Sequence, residues 1–299
     1  MSAESTFIAS LRALATDPAA RGLADDAAVL EVGGETLVLT HDMIAEGVHY
    51  LAGDPPGDVA WKLVAVNLSD LAAKGARPLG VLLGFTLGEE SWDRAFAAGL
   101  ARALAAFDIP LLGGDTIAAP ARVLGLTAIG RADGPVPSRG GARPGDLLWV
   151  SGTIGDAGAG LAALRRGEDS PLIERYRNPR PRLEAGARLA PLASAMLDVS
   201  DGLLIDAARI AAASGCAIAI ELDSIPLSQG TPLAAATAGD DYELLFTAAA
   251  DKAAAILALA EEIGLPLSRI GRCTAGAGLS LSDRGAPVPL PARLGFEHG

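Results

Sequence analysis

Apolar positions along this chain recur with two periods, and the switches between them predict the elements. Residues 27–32 and 36–40, AAVLEV and TLVLT, read as two strands joined by Gly33 and Gly34, a hairpin signal. Residues 58–74, DVAWKLVAVNLSDLAAK, carry apolar side chains three and four apart and predict a helix that Gly75 and then Pro78 end. A strand at 79–86, a helix at 91–107 and strands near 109–113 and 122–130 follow. The stretch 130–146, GRADGPVPSRGGARPGD, is the richest in Gly and Pro and marks the predicted domain boundary, dividing the chain into 1–137 and 138–299.

The second half opens with an apolar strand, DLLWVSG, running into GDAGAGLAALRRG, which is glycine-opened and then helical. Beyond a basic segment, RYRNPRPRL, a helix at 183–190 precedes MLDVSDGLLIDAARIAAASG, read as a short strand, an acidic turn and another helix. A helix at about 251–263 and short strands finish the chain. Strands and helices alternate in both halves, which predicts two α/β or α+β domains. No internal repeat or low-complexity tail is apparent.

Composition narrows the function classes. Half of the 299 residues are hydrophobic and 4% aromatic, so the core is built mostly from Ala, Val, Leu and Ile, enough for one large or two medium domains. The formal charge is −12 without a basic stripe, which argues against a nucleic-acid partner. Only Lys62, Lys74 and Lys252 are lysines and none follows a glycine, so there is no P-loop. Cys216 and Cys273 are too few for a disulfide framework, and a reducing cytoplasm fits them best. The amino terminus carries Glu4 and no basic segment before a hydrophobic run, so it does not read as a signal peptide. No uncharged apolar run reaches the roughly 18 residues of a membrane helix, so a soluble protein without a membrane partner is expected.

The aspartates carry the candidate chemistry. Asp25-Asp26, Asp42, Asp70, Asp115, Asp198, Asp201 and Asp240-Asp241 each sit at the edge of an apolar run. Carboxylates beside buried segments need compensation; with lysine nearly absent, divalent cations such as Mg²⁺, which takes hard oxygen ligands, supply it. Each position also has a structural reading. Asp25 and Asp26 suit a turn, Asp70 a cap of a broken helix, and Asp115 a glycine-aspartate turn in LLGGDT. Ser200 or Asp201 suits the N-cap of the helix that follows. Taken together, the set is hard to explain as turns.

Other motifs fall away. His41 and His49 are eight residues apart, which is not a zinc spacing. DVSDG lacks the alternation of an EF-hand loop, and no G-x-S-x-G elbow offers an acyl-transfer serine. The glycines of GTIGDAGAG fall at 152, 155, 158 and 160, which is not the dinucleotide fingerprint and reads as a tight strand-to-helix turn.

In chain order, GVHYL, AVNLSDLAAKGARP, LLGGDT, LDVSDGL and GDDYELLFT resemble the thiamine-monophosphate kinase family, over about residues 25–296. That family belongs to the ATP-binding superfamily of aminoimidazole-ribonucleotide synthetase and selenophosphate synthetase. The resemblance implies a two-domain fold: an N-terminal domain that binds ATP and metal and pairs its sheet in a homodimer, and a C-terminal α/β domain that completes the site. It implies transfer of the γ-phosphoryl of ATP to thiamine monophosphate, assisted by several Mg²⁺ ions, without a covalent enzyme nucleophile.

Carried over by motif, the implied metal ligands are Asp26, Thr40, His41, Asp42, Asp70, Asp115, Asp198 and Asp201. Gly114, Arg139 and Ser200 would contact ATP. His49, Asp240 and Phe296 would contact thiamine monophosphate, an acid and an aromatic face suiting a cationic ring. The chain departs from the family pattern at four places: Ala24 replaces the glycine before Asp25-Asp26, His41 stands where Ser or Thr is common, Asp240 replaces a glutamate, and GFEHG lacks a final aromatic. The rival expectation is a nucleotide- or metal-binding module of the same superfamily that has lost turnover. Selenophosphate synthetase and the hydrogenase-maturation relative fit less well, since neither an early nor a terminal cysteine is present.

Overall fold

The protein is described by a computed structural model covering residues 3–297. The first half holds α1 (Ala3–Leu11), β1 (Ala28–Val32), β2 (Glu35–Ala45), α2 (Pro56–Ala73), β3 (Arg77–Leu87), α3 (Glu90–Ala106), β4 (Leu111–Ala118) and β5 (Val123–Ala132). Its strands form one sheet in the order β1-β2-β5-β3-β4, antiparallel except for the β3–β4 pair. Helices α2 and α3 cover one face, where Val64, Leu68, Phe96, Leu124 and Leu126 are buried together. Helix α2 opens on Pro55-Pro56, whose fixed φ suits a first turn, and stops at Gly75 with φ 63°.

The second half holds β6 (Leu147–Ser151), α4 (Asp156–Arg166), α5 (Ile173–Arg177), α6 (Leu183–Leu189), β7 (Ala195–Asp198), α7 (Leu203–Ser214) and β8 (Ala217–Glu221). It ends with α8 (Pro232–Ala236), β9 (Leu244–Ala248), α9 (Ala253–Ile263), β10 (Leu267–Thr274), β11 (Gly278–Asp283) and β12 (Ala286–Val288). A seven-stranded sheet runs β12-β11-β8-β10-β6-β9-β7. Helices α7 and α8 pack on one face through Leu203, Ile210 and Ala235, while α6 and α9 pack on the other through Leu189, Ile256 and Leu259. Ala72 and Ala73 of α2 belong to that second cluster, so α2 is shared between the two halves.

Two strands depart from the sequence expectation. Strand β2 continues to Ala45, five residues past its expected end, because β5 pairs with it along its whole length. Strand β4 lies at Leu111–Ala118 and runs through Gly113-Gly114, where a stop was expected. These glycines allow close strand approach, since a Cβ on Gly114 would lie 1.9 Å from the Leu83 carbonyl oxygen. The short helices α1, α5 and α8 were not anticipated.

The α2–α6 contact depends on Gly186, where a Cβ would lie 1.9 Å from the Ala72 carbonyl oxygen. Gly186→Ala should force these helices apart and cost about 2–3 kcal/mol, read as a lower urea midpoint; an unchanged midpoint would refute this packing argument.

Candidate functional site

The candidate site forms where α2 passes between the two sheets. Asp26, Asp70 and Asp198, from the chain before β1, from α2 and from the end of β7, bring one carboxylate oxygen each within 4.8 Å of one another. Ser69 Oγ donates to Asp198 at 2.5 Å, Thr40 Oγ1 donates to Asp70, and the Asp42 amide donates to Asn67 Oδ1 at 2.9 Å. Thr40 and Asp42 alternate along β2, so both side chains face α2.

The charges are unevenly compensated. Lys74, fully buried, pairs with Asp25 and with Asp26, the latter at 2.6 Å, and Arg139 Nε donates to Asp26 at 2.7 Å. Burial opposes ionisation of Asp26, yet Lys74 and Arg139 outweigh it and hold the carboxyl below its usual range. Among the described residues, Asp70 and Asp198 have hydroxyl donors but no cation. Burial, then the neighbouring carboxylates, push Asp70 well up and Asp198 up to about 8. Burial followed by Asp26 and Asp201 pushes Asp42 up to about 6. Carboxylates crowded into the interior with excess negative charge make a donor set that suits a hard divalent cation.

The DVSDG turn adds the next layer. Asp201 pairs with Arg209 at 2.7 Å, and Arg209 also pairs with the buried Asp206 at 2.6 Å, whose carboxylate accepts the Asp201 and Gly202 amides. Burial raises Asp206 to about 6 despite Arg209. The Phe296 amide donates to the Asp201 carbonyl at 2.9 Å, which anchors the carboxyl-terminal segment beside this turn. Ser200 offers its carbonyl to the Asp240 amide at 2.7 Å, so the Ser200 and Asp240 loops are joined.

His49 and Asp240 meet through Lys62, whose Nζ donates to the His49 carbonyl at 2.9 Å and to Asp240 Oδ2 at 3.1 Å. Glu243 is fully buried and is held by Ser151 and by Arg175 and Arg182, which fixes the strand that follows Asp240.

The side chains of two expected ligands do not reach the cluster within this chain, which leaves the backbone carbonyl as the other ligand offered at position 41. The His41 ring is exposed and its Nδ1 lies 2.9 Å from Thr127 Oγ1, on the opposite sheet face from Thr40 and Asp42, because adjacent strand residues point in opposite directions. Asp115 is also exposed. It stands in the row Met43, Gly125, Gly84, Asp115, one row from Asp42 and therefore on the other face, and three strand spacings, about 14 Å, from β2. Gly114 lies on the same edge strand.

Sequence reading missed Lys62, Lys74, Asp206 and Arg209. The signal for the lysines was their position: Lys62 lies in the largely apolar helix α2 and Lys74 caps its end.

Comparisons with known proteins agree with this architecture. Residues 24–132 match the AIR synthase related protein N-terminal domain, and residues 143–284 match the C-terminal domain. The thiamine-monophosphate kinase of Caulobacter vibrioides is 42% identical over 95% of this chain and 86% of its own length. The crystal structure of thiamine-monophosphate kinase from Stenotrophomonas maltophilia is 40% identical, with a TM-score of 0.79 over 95% of this chain and 96% of that one. AaThiL complexed with AMPPCP and TMP is 30% identical, with a TM-score of 0.83 over 97% and 96%. By sequence and fold alike, this chain belongs to the thiamine-monophosphate kinase family, with the two domains of the AIR synthase related proteins.

Proposed function

We propose that this protein transfers the γ-phosphoryl group of ATP to the phosphate of thiamine monophosphate, giving thiamine diphosphate and ADP, the last step of thiamine diphosphate biosynthesis. The observation that carries this reading is the buried carboxylate cluster of Asp26, Asp70 and Asp198 lying between a guanidinium, Arg139, and a turn joined to the Asp240 loop. The complex of the relative AaThiL with AMPPCP and TMP supports the same pair of substrates.

Mg²⁺ ions would be held by Asp26, Asp42, Asp70, Asp198 and Asp201, with Thr40 in the middle of β2. Bound there, they would neutralise charge on the phosphates as phosphoryl transfer requires. The chain itself then positions. Arg139, planar and permanently charged, exchanges its hold on Asp26 for phosphate oxygens, alongside Ser200, while Gly114, on the edge strand, would reach ATP only from a second copy of the chain. His49 and Asp240 orient thiamine monophosphate, and Phe296 packs on its rings. The acceptor phosphate is already an anion, so an in-line transfer needs neither a covalent intermediate nor a side-chain nucleophile.

We assign the working form to a homodimer. All eight residues of β4 are exposed at the edge of the sheet, and across the sheet Met43, Leu82, Leu112 and Ile117 present apolar surface, 38–55% exposed. A second copy of this chain covers such a face most simply. His41 and Asp115 then belong to the covered side and reach a metal only through that assembly. We place the protein in the cytoplasm. Both cysteines are free and buried, and among the described residues no helix is long and apolar enough to cross a membrane.

Purified protein supplied with ATP, Mg²⁺ and thiamine monophosphate should form thiamine diphosphate, resolved by chromatography; a folded sample that yields none refutes the reading and favours a module without turnover. Asp70→Asn and Asp198→Asn should each lower kcat by about three powers of ten. Because each removes a carboxyl from a like-charged cluster, the melting temperature in EDTA should not fall, while its rise on adding Mg²⁺ should disappear. Ile117→Glu should convert a dimer into a monomer in sedimentation, an assignment that a monomeric parent protein at micromolar concentration would overturn.

A further inference from the structure

Lys62 is 2% exposed and lies on α2 at the meeting of the two loops that carry His49 and Asp240. Its Nζ donates to the His49 carbonyl and to Asp240 Oδ2, and stands 3.9 Å from the centroid of the Tyr176 ring. The Tyr176 hydroxyl donates to the same His49 carbonyl at 3.3 Å, and the Tyr242 hydroxyl donates to Asp240 Oδ1 at 3.2 Å. Each Asp240 oxygen therefore accepts one hydrogen bond from the protein and keeps a further acceptor site for a ligand. The side chain is 25% exposed, so those free sites are accessible.

The backbone there is held against its preference. Asp240 has φ 70° and Tyr242 φ 51°, left-handed conformations that cost a non-glycine residue about 1–2 kcal/mol and persist where the surroundings over-determine them. Lys62 is one of those surroundings, and it comes from the other half of the chain.

We infer that Lys62 is a positioning residue for substrate: its ammonium fixes the Asp240 carboxylate and the His49 loop in the geometry that receives thiamine monophosphate, and so sets affinity for that ligand and not for the nucleotide. The inference rests on the assignment of His49 and Asp240 to the substrate. Asp240 is a short side chain already held at both oxygens, so it has little freedom to recover a lost alignment. The ammonium is shielded on one side by the Tyr176 ring, which favours a cation on its face and holds Nζ toward the two oxygens. Lys62 touches no atom of the carboxylate cluster, which is why the nucleotide side should not respond to its loss.

The test is calorimetric titration of thiamine monophosphate, and separately of AMPPCP with Mg²⁺, into the parent protein, Lys62→Met, Asp240→Asn and the double variant. Lys62→Met should weaken thiamine monophosphate roughly tenfold and leave AMPPCP within about twofold, and the double variant should be no weaker than the poorer single variant, as expected for residues acting through one contact. Unchanged affinity in Lys62→Met, equal weakening of both ligands, or penalties that multiply in the double variant would each overturn the inference. Tyr176→Leu tests it without altering the buried charge: a selective loss of about threefold for thiamine monophosphate is expected, and no loss in a folded protein overturns it. A parent protein that binds AMPPCP but not thiamine monophosphate overturns the substrate reading itself, and this inference with it.

Discussion

The buried ammonium of Lys74, set between Asp25 and Asp26, fixes the terms on which the acidic cluster can exist. It is fully enclosed and also donates to the Met196 carbonyl at 3.1 Å, so it ties the chain before β1 to α2 and to β7. Removing one partner of such a buried pair costs about 3–5 kcal/mol. Lys74 compensates Asp25 and shares Asp26 with Arg139; Asp70 and Asp198 are left with hydroxyl donors alone. The cluster is thus divided between one carboxyl held ionised and two driven toward their neutral form. Folding tolerates the second pair because protonation relieves it, and a divalent cation can take the place of those protons. The Mg²⁺ proposed for this cluster would solve, with a different cation, the same electrostatic problem that protons solve in its absence.

That solution requires the two halves of the chain to meet closely. Ser69 on α2 reaches Asp198 at the end of β7, and Ala72 and Ala73 pack against Leu189. Glycine makes the approach feasible, since Gly186 would collide with the Ala72 carbonyl if it bore a Cβ, and Gly75 would collide with Ala190. The domains therefore share a helix, and the site lies at the part of α2 where the sharing is tightest.

Much of this was legible in the sequence. Helix α2 is a strong 3.6-residue pattern, and the aspartates announce themselves by ending apolar runs. The boundaries of β2 and β4 were less legible because partner strands, and not local propensity, set them. Thr40, His41 and Asp42 show a finer failure. A motif names all three as neighbours, but a strand sends adjacent side chains to opposite faces, so the ring of His41 lies with Thr127. Asp115 stands apart from the cluster for the same reason combined with distance across the sheet. The pairings of Lys62 with Asp240 and Lys74 with Asp25 span 178 and 49 residues, and no local pattern encodes them.

The spacing of charges on α2 has a geometric consequence. Lys62 and Asp70 are eight residues apart, which a helix converts into about 12 Å along its axis. One end of the helix addresses the Asp240 loop and the other addresses the carboxylate cluster, and a straight helix holds that interval against thermal motion better than a loop would. A substrate with a cationic ring at one end and a phosphate at the other presents two charges at a fixed interval of its own. With the ring bound where we infer that Lys62 sets Asp240, the phosphate would be delivered toward Asp70 without further ordering of the protein, which is the entropic advantage of orientation. Under that proposal the lysine that aims Asp240 and the carboxylate of Asp70 stand on one helix, so both ends of the substrate would be measured against a single rigid element.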